Sequence, residues 1–225
     1  MKNGHTMYKT IIFDLDGTLL DTLDDLTDAT NAALKKFGLK SRTRDEVCSF
    51  VGNGIAKLIE RAVGEEGKEY QEAALAEFKS YYAAHCADKT APYAGILTLL
   101  KTLQARGVKT AVVSNKVDFA VKSLAKTYFD GLLLSAVGEN EAAGIRKKPA
   151  PDSLLAVMKE LSATADSTAY VGDSEVDIQT AKNAGVDCIC VTWGFRKKAY
   201  LQEEGGKLFM DTPAEILNYT KGAGI

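Results

Sequence analysis

Long apolar runs are missing from this 225-residue chain. No stretch approaches the roughly 18 consecutive apolar residues of a membrane span, and the opening "MKNGHTMYK" lacks the apolar region of a signal peptide. A cytoplasmic protein with no membrane partner is expected. The leader before Met7 leaves open whether the natural chain starts at Met7. Charge of one sign is equally scarce: the formal net charge is −2, and no basic run exceeds Arg146-Lys147-Lys148. A broad nucleic-acid face is thereby excluded. The four cysteines, Cys48, Cys86, Cys188 and Cys190, include no C-x-x-C pair. They fit neither a disulfide framework nor a zinc site, and read as reduced thiols. There is no internal repeat and no low-complexity segment.

What is present is apolar residue in quantity, 46% of the chain, enough for one large domain or for a domain carrying an insertion. From about residue 92 onward, short β-branched runs alternate with helical patterns. "KTAVVSN" (109–115), "GLLLSA" (131–136), "STAYVGD" (167–173) and "DCICVT" (187–192) read as buried parallel strands. Cys188 and Cys190 pack there as small hydrophobes. Helices are expected between the strands, with Pro151 at a first helical position, Ser174 as an N-cap and Gly185 as a terminator. This order predicts an α/β fold with a doubly wound parallel sheet. Residues 21–90 differ. Leu23, Leu26, Ala29, Ala33, Leu34 and Phe37 share one helical face, Ile55, Leu58, Ile59, Ala62 and Val63 another, and a third helix is expected over about 69–86. These residues predict an all-helical cap domain, inserted into a core made of residues 1–20 and 91–225.

The polar residues fall at predicted strand ends. In "IIFDLDGTLLDT" (11–22) an apolar run stops at Asp14 and Asp16; Ser114 and Asn115 follow "KTAVV", and Asp173 follows "STAYVG". An open parallel sheet binds ligands outside the carboxyl ends of its strands, so these groups are expected to converge if the three strands are neighbours. Carboxylates so placed raise one another's pKa unless a cation or shared proton offsets them. With no His or Cys beside them, Asp14 and Asp173 suit Mg2+, which takes oxygen ligands and substrate phosphate. Asp14 is then a candidate nucleophile toward phosphorus. Asp16 is the candidate proton donor and acceptor. Ser114 and Lys148 are expected to stabilise the transferred phosphoryl group, Asn115 to orient substrate, and Asp177, behind the metal ligands, to hold metal-bound water or Lys148. Each piece also has a structural reading: Ser-Asn suits a turn, Gly172-Asp173-Ser174 an N-capping loop, and Lys148 a surface lysine.

Together these motifs resemble the haloacid dehalogenase-like hydrolases: "DLDGTLLDT", "VVSN", Lys148 of "KKPAPD" and "VGDSEVD" match their four motifs in order, over nearly the whole chain. The resemblance implies a Rossmann-like core with a helical cap, Mg2+ held by Asp14, the backbone carbonyl of Asp16 and Asp173, and an aspartyl-phosphate on Asp14. Asp16 favours phosphatases over dehalogenases. "VGNGI" (51–55) and "TWGFRKKAYLQEEGG" are similar to the phosphoglycolate phosphatase group. The expected substrate contacts are Thr18, Asn115, Lys116 and a cap loop of Gly52, Asn53 and Gly54, with Asn53 also readable as a helix cap. Arg44, Lys57 and Lys116 are candidates for a second anionic group, each also readable as surface charge. A small phosphorylated molecule is the expected substrate, and the protein is expected to act as a monomer or homodimer. Relatives acting on pyrophosphate or sugar phosphates, a phosphoglucomutase, and a non-enzymatic phospho-acceptor module are the alternatives.

Overall fold

The computed structural model describes residues 7–140 and 144–221; the leader before Met7 lies outside them. Its centre is a six-stranded parallel sheet of β1 (Thr10–Phe13), β4 (Lys109–Val117), β5 (Ser135–Glu139), β6 (Thr168–Gly172), β7 (Asp187–Val191) and β8 (Leu208–Met210), in the order β5-β4-β1-β6-β7-β8. Strand β1 is central and buried on both faces, so its four residues are all apolar or satisfied. Successive side chains point to opposite faces. Ile11, Phe13, Val112, Ala169 and Val171 enter one apolar cluster, while Ile12, Ala111, Val113 and Tyr170 enter another. Helices α5 (Ile96–Ala105) and α6 (Asp118–Phe129) supply the first cluster; α7 (Asp152–Glu160) and α8 (Glu175–Ala184) supply the second.

Between β1 and α5 the chain makes α1 (Leu23–Lys36), α2 (Arg44–Phe50), α3 (Ile55–Val63) and α4 (Gln71–His85). The apolar face expected for α1 is the buried one, packed with Ala74, Phe78 and Tyr82 of α4. This apolar cluster is continuous with that of the sheet. Among the described residues no helix is long and apolar enough to cross a membrane, and the four cysteines are free thiols.

Four local expectations need correction. The helical insertion is not purely helical, because its two linkers pair as short antiparallel strands, β2 (Leu20–Asp21) with β3 (Ala91–Pro92). Two residues a side carry no periodicity to detect. The run "GLLLSA" is strand only from Ser135: Gly131 takes a positive φ and Leu132 N–H turns back to Phe129 O at 2.9 Å, so the leucines form the connection. Strand β4 does not stop at Asn115 but continues to Val117, with its register against β5 broken between Val113 and Val117. Strand β8 and helix α2 were not read from the sequence.

Asp25 ties α1 to the returning linker. Its carboxylate is buried and accepts the backbone N–H groups of Lys89 and Thr90 and the Thr90 hydroxyl at 2.7–3.1 Å. Asp25→Ala strands three donors beneath the helices, and a loss of about 2–3 kcal/mol is expected in urea unfolding. A loss below about 0.5 kcal/mol would show that this tie is replaceable by water.

Candidate active site

Strands β4, β1 and β6 are neighbours, so the groups at their carboxyl ends converge. Asp14 follows β1, with its N–H bonded to Val171 O at 2.8 Å. Asp173 follows β6. The broken register of β4 sets Ser114, Asn115 and Lys116 at the same edge, as bulges commonly do beside sites. Carboxylate oxygens of Asp14, Asp173 and Asp177 all lie within 4.8 Å of one another, and all three residues are buried.

Lys148 is the ammonium among them. Its Nζ donates to Asp177 Oδ1 at 2.7 Å and Tyr170 Oη at 2.9 Å and stands 3.0 Å from Asp14 Oδ1. The Asp14 contact is one of charge, out of hydrogen-bond alignment: Asp14 Oδ1 is buried without a hydrogen-bond donor. Burial pushes the Asp14 carboxyl up to about 6 against the pull of Lys148, with Asp177 and Asp16 adding to the rise. Burial also raises Asp173 far above the carboxylate range, helped by Asp177 and Asp14. Burial opposes the Lys148 charge, but Asp14 and Asp177 more than offset it and raise its pKa. Three carboxylates against one ammonium, all-oxygen donors and an orphaned Asp14 Oδ1 together fit a hard divalent cation.

The surrounding residues hold this cluster in place. Asp177 closes a capping box with Ser174, whose N–H and Oγ donate to Asp177 Oδ2 at 3.1 and 2.6 Å. Asp173 is wedged between two glycines: a Cβ on Gly17, which has φ +80°, would lie 2.3 Å from Asp173 Oδ2, and one on Gly194 2.3 Å from its Cβ. Phe195 N–H donates to Asp173 Oδ2 at 2.6 Å. Asn115 clamps the Lys148 backbone, accepting its N–H at 2.8 Å and donating to its carbonyl at 2.9 Å.

A cavity of about 40 Å³ opens on the cluster. Asp14, Asp16, Ser114, Asn115, Lys116, Lys148 and Asp173 line it from the sheet side; Leu26, Val51, Gly52, Gly54, Ile55 and Leu58 roof it. Lys116 is buried rather than a surface charge. It donates to both Asp16 carboxylate oxygens, at 2.9 and 3.2 Å, and to Tyr82 Oη of α4 at 2.5 Å.

Several expected contacts lie elsewhere. Thr18 is fully buried off the cavity, donating to Asp173 Oδ1 at 3.3 Å, because the tight turn at Gly17 folds it under the loop. Asn53 neither lines the cavity nor caps α3. Its Oδ1 accepts from Arg61 Nη2 at 2.9 Å, and Gly54 holds the cap position. Arg44 pairs with Asp24 and Asp21, and Lys57 with Glu60, on the exposed surface. The residues that sequence reasoning missed are Tyr82, Gly194, Phe195 and Arg196. The last three follow β7, at the same sheet edge as Asp14 and Asp173, and that position was the available signal.

Residues 11–191 match the haloacid dehalogenase-like hydrolase family. The chain belongs to this family. Among similar proteins, phosphoglycolate phosphatase 1 of Pseudomonas aeruginosa is 34% identical over 213 residues, which is 92% of this chain and 78% of that one. The phosphoglycolate phosphatase of Aquifex aeolicus is 32% identical, covering 84% of this chain and 87% of that one. A crystal structure from Lactobacillus delbrueckii subsp. bulgaricus, provisionally assigned as a phosphoglycolate phosphatase, superposes with a TM-score of 0.87 at 41% identity. The match covers 93% of this chain and 97% of that one. The haloacid dehalogenase-like fold and a phosphatase of the phosphoglycolate phosphatase-like type are therefore shown for this chain, and its acidic cluster could hold a metal.

Replacing Asp173 by Asn removes one cation ligand. In thermal unfolding, Asp173→Asn is expected to abolish the rise in Tm that Mg2+ gives the unaltered protein. A Mg2+ shift that survives the substitution would remove Asp173 from the cation site.

Proposed function

We propose that this hydrolase uses Mg2+ to hydrolyse a small phosphomonoester, 2-phosphoglycolate, through an aspartyl-phosphate on Asp14. The observation that carries the reading is the buried Asp14 carboxylate at the end of β1, whose Oδ1 accepts no hydrogen bond, set within 4.8 Å of Asp173 and Asp177 and ion-paired with Lys148. Asp14, Asp173 and the Asp16 backbone would hold the ion, with Asp177 behind them. When bound, Mg2+ supplies positive charge that lets an anionic carboxylate approach an anionic phosphate.

In the first half-reaction an Asp14 oxygen forms a bond to phosphorus as the bond from phosphorus to the ester oxygen breaks, and Asp16 gives that oxygen a proton. In the second, water attacks phosphorus, Asp16 takes its proton, and the Asp14 carboxylate is regenerated. Ser114 and Lys148 contribute a donor and a charge to the phosphoryl oxygens. Asn115 acts on substrate through Lys148, whose backbone it fixes.

Substrate size is argued from the cavity. Its roof of Leu26, Val51, Gly52, Gly54, Ile55 and Leu58 offers no side chain to sugar hydroxyls and no acid–base pair for a mutase. Lys116, Lys148 and Arg196 bring positive charge to the cavity wall, which suits a substrate that carries a carboxylate beside its phosphate. The names of the relatives support the same choice. On this reading residues 21–90 are the cap and residues 1–20 with 91–225 the catalytic core of a cytoplasmic monomer or homodimer.

Phosphate release from 2-phosphoglycolate, pyrophosphate, glucose phosphates and p-nitrophenyl phosphate tests the proposal. Release should require Mg2+, stop with EDTA and favour 2-phosphoglycolate. Asp14→Asn should lower kcat by roughly 10⁴-fold or more, and Asp16→Asn by about 10²–10⁴-fold, both with circular dichroism unchanged. Preference for another ester keeps the mechanism and moves the substrate; an active Asp14→Asn protein refutes the nucleophile.

A further inference from the structure

We infer that Arg196 determines which phosphate esters the site accepts, by docking the roof of the cavity onto the sheet edge. The backbone before it is fixed to the cluster through Phe195 N–H and Asp173 Oδ2, at 2.6 Å. From that anchor the Arg196 side chain crosses to the helical insertion. Nη1 donates to Cys48 O at 2.8 Å and Nη2 to Val51 O at 2.7 Å, while Nε meets Glu175 Oε2 at 3.3 Å.

The two carbonyls belong to the end of α2. The last carbonyls of a helix have no partner within it and carry its negative dipole end, so a cation there is doubly favoured. Helix α2 has no basic residue in its own last turn, and Arg196 supplies the missing donors from 145 and 148 residues away in sequence. A planar guanidinium can grip two carbonyls at once, which an ammonium matches poorly.

What Arg196 holds is the start of the roof. Val51, Gly52 and Gly54 line the cavity immediately after α2, and Asn115 Nδ2 donates to Gly52 O at 3.1 Å. Within the insertion, Arg61 shapes the same turn by donating to Phe50 O at 2.7 Å and Asn53 Oδ1 at 2.9 Å. Arg61 therefore sets the form of the loop, and Arg196 its distance from the cluster. With the loop docked, the roof closes over the cluster and favours esters whose non-phosphate part is small. This inference rests on the phosphatase reading and names the residue behind its selectivity.

The test compares Arg196→Ala and Arg196→Lys with the unaltered enzyme on 2-phosphoglycolate and the bulkier p-nitrophenyl phosphate, alongside amide hydrogen exchange over residues 49–54. Arg196→Ala should lower kcat/KM for 2-phosphoglycolate by about 10–100-fold, mainly through KM, since a lost charged hydrogen bond is worth about tenfold or more. For p-nitrophenyl phosphate the fall should stay below about threefold, so selectivity drops at least tenfold; exchange over 49–54 should quicken by a similar factor. Arg196→Lys should recover only part of each effect. Equal losses on both esters, or exchange unchanged in Arg196→Ala, would overturn the inference. If the unaltered protein hydrolyses neither ester, the phosphatase reading fails, and the exchange measurement alone decides the docking role.

Discussion

Holding the carboxylates of Asp14, Asp173 and Asp177 within 4.8 Å of one another, away from water and with a single ammonium between them, is unfavourable in the absence of a cation. The rest of the site follows from that repulsion. It has to be borne by rigid elements, and the two reacting strands, β1 and β6, are the two most enclosed in the sheet. Asp173 cannot retreat, because Gly17 and Gly194 press on it from two sides at distances that no side chain would allow. Asp177 cannot turn away, because its second oxygen closes the capping box of α8. The free energy stored there is recovered when a cation binds, which links metal affinity to the stability of the fold.

Lys148 shows how a long side chain is made to act at a fixed point. A lysine has considerable rotamer freedom, and here that freedom is removed at both ends. Asn115 fixes the backbone, and Tyr170, itself bonded to Val113 O at 2.8 Å, receives the ammonium beside Asp177. Lys116 repeats the pattern on the other wall of the cavity. It links Asp16 of the loop after β1 to Tyr82 of α4, so one buried ammonium joins the sheet edge to the helical insertion.

Most of the sheet was legible because a buried parallel strand announces itself as a short β-branched run and the site residues follow such runs directly. Asp14 and Asp173 could be found that way with no knowledge of the fold. Lys116, next to the same run as Ser114 and Asn115, does line the cavity, whereas Thr18 and Asn53 do not. Whether a polar side chain near a motif faces the cavity, a neighbouring carboxylate or solvent depends on turns set by Gly17, Gly52 and Gly54, and a turn leaves no periodic trace. Strands β2, β3 and β8 were too short to show a period of two. Arg196 had only its place after β7 as a signal: its partners are backbone carbonyls, which every residue possesses, so nothing in the sequence of α2 points to it.

The two kinds of contact divide the protein's tasks. The cluster is held by interlocking constraints in which each residue fixes another, so that Gly172, for example, has no room for a Cβ, which would lie 2.3 Å from Asp177 Cγ. The roof is held to the sheet edge by contacts of Arg196 and Asn115 with the carbonyls of Cys48, Val51 and Gly52. Carbonyl oxygens accept from any suitably placed donor, so the roof loop can be reshaped by changes within residues 48–54 that leave Asp14, Asp173 and Asp177 in place. Chemistry fixed by interlocking and selectivity set by backbone contacts is an arrangement in which one mechanism can serve many substrates. In this chain the roof is apolar, and the cations at the wall beneath it are Lys116, Lys148 and Arg196.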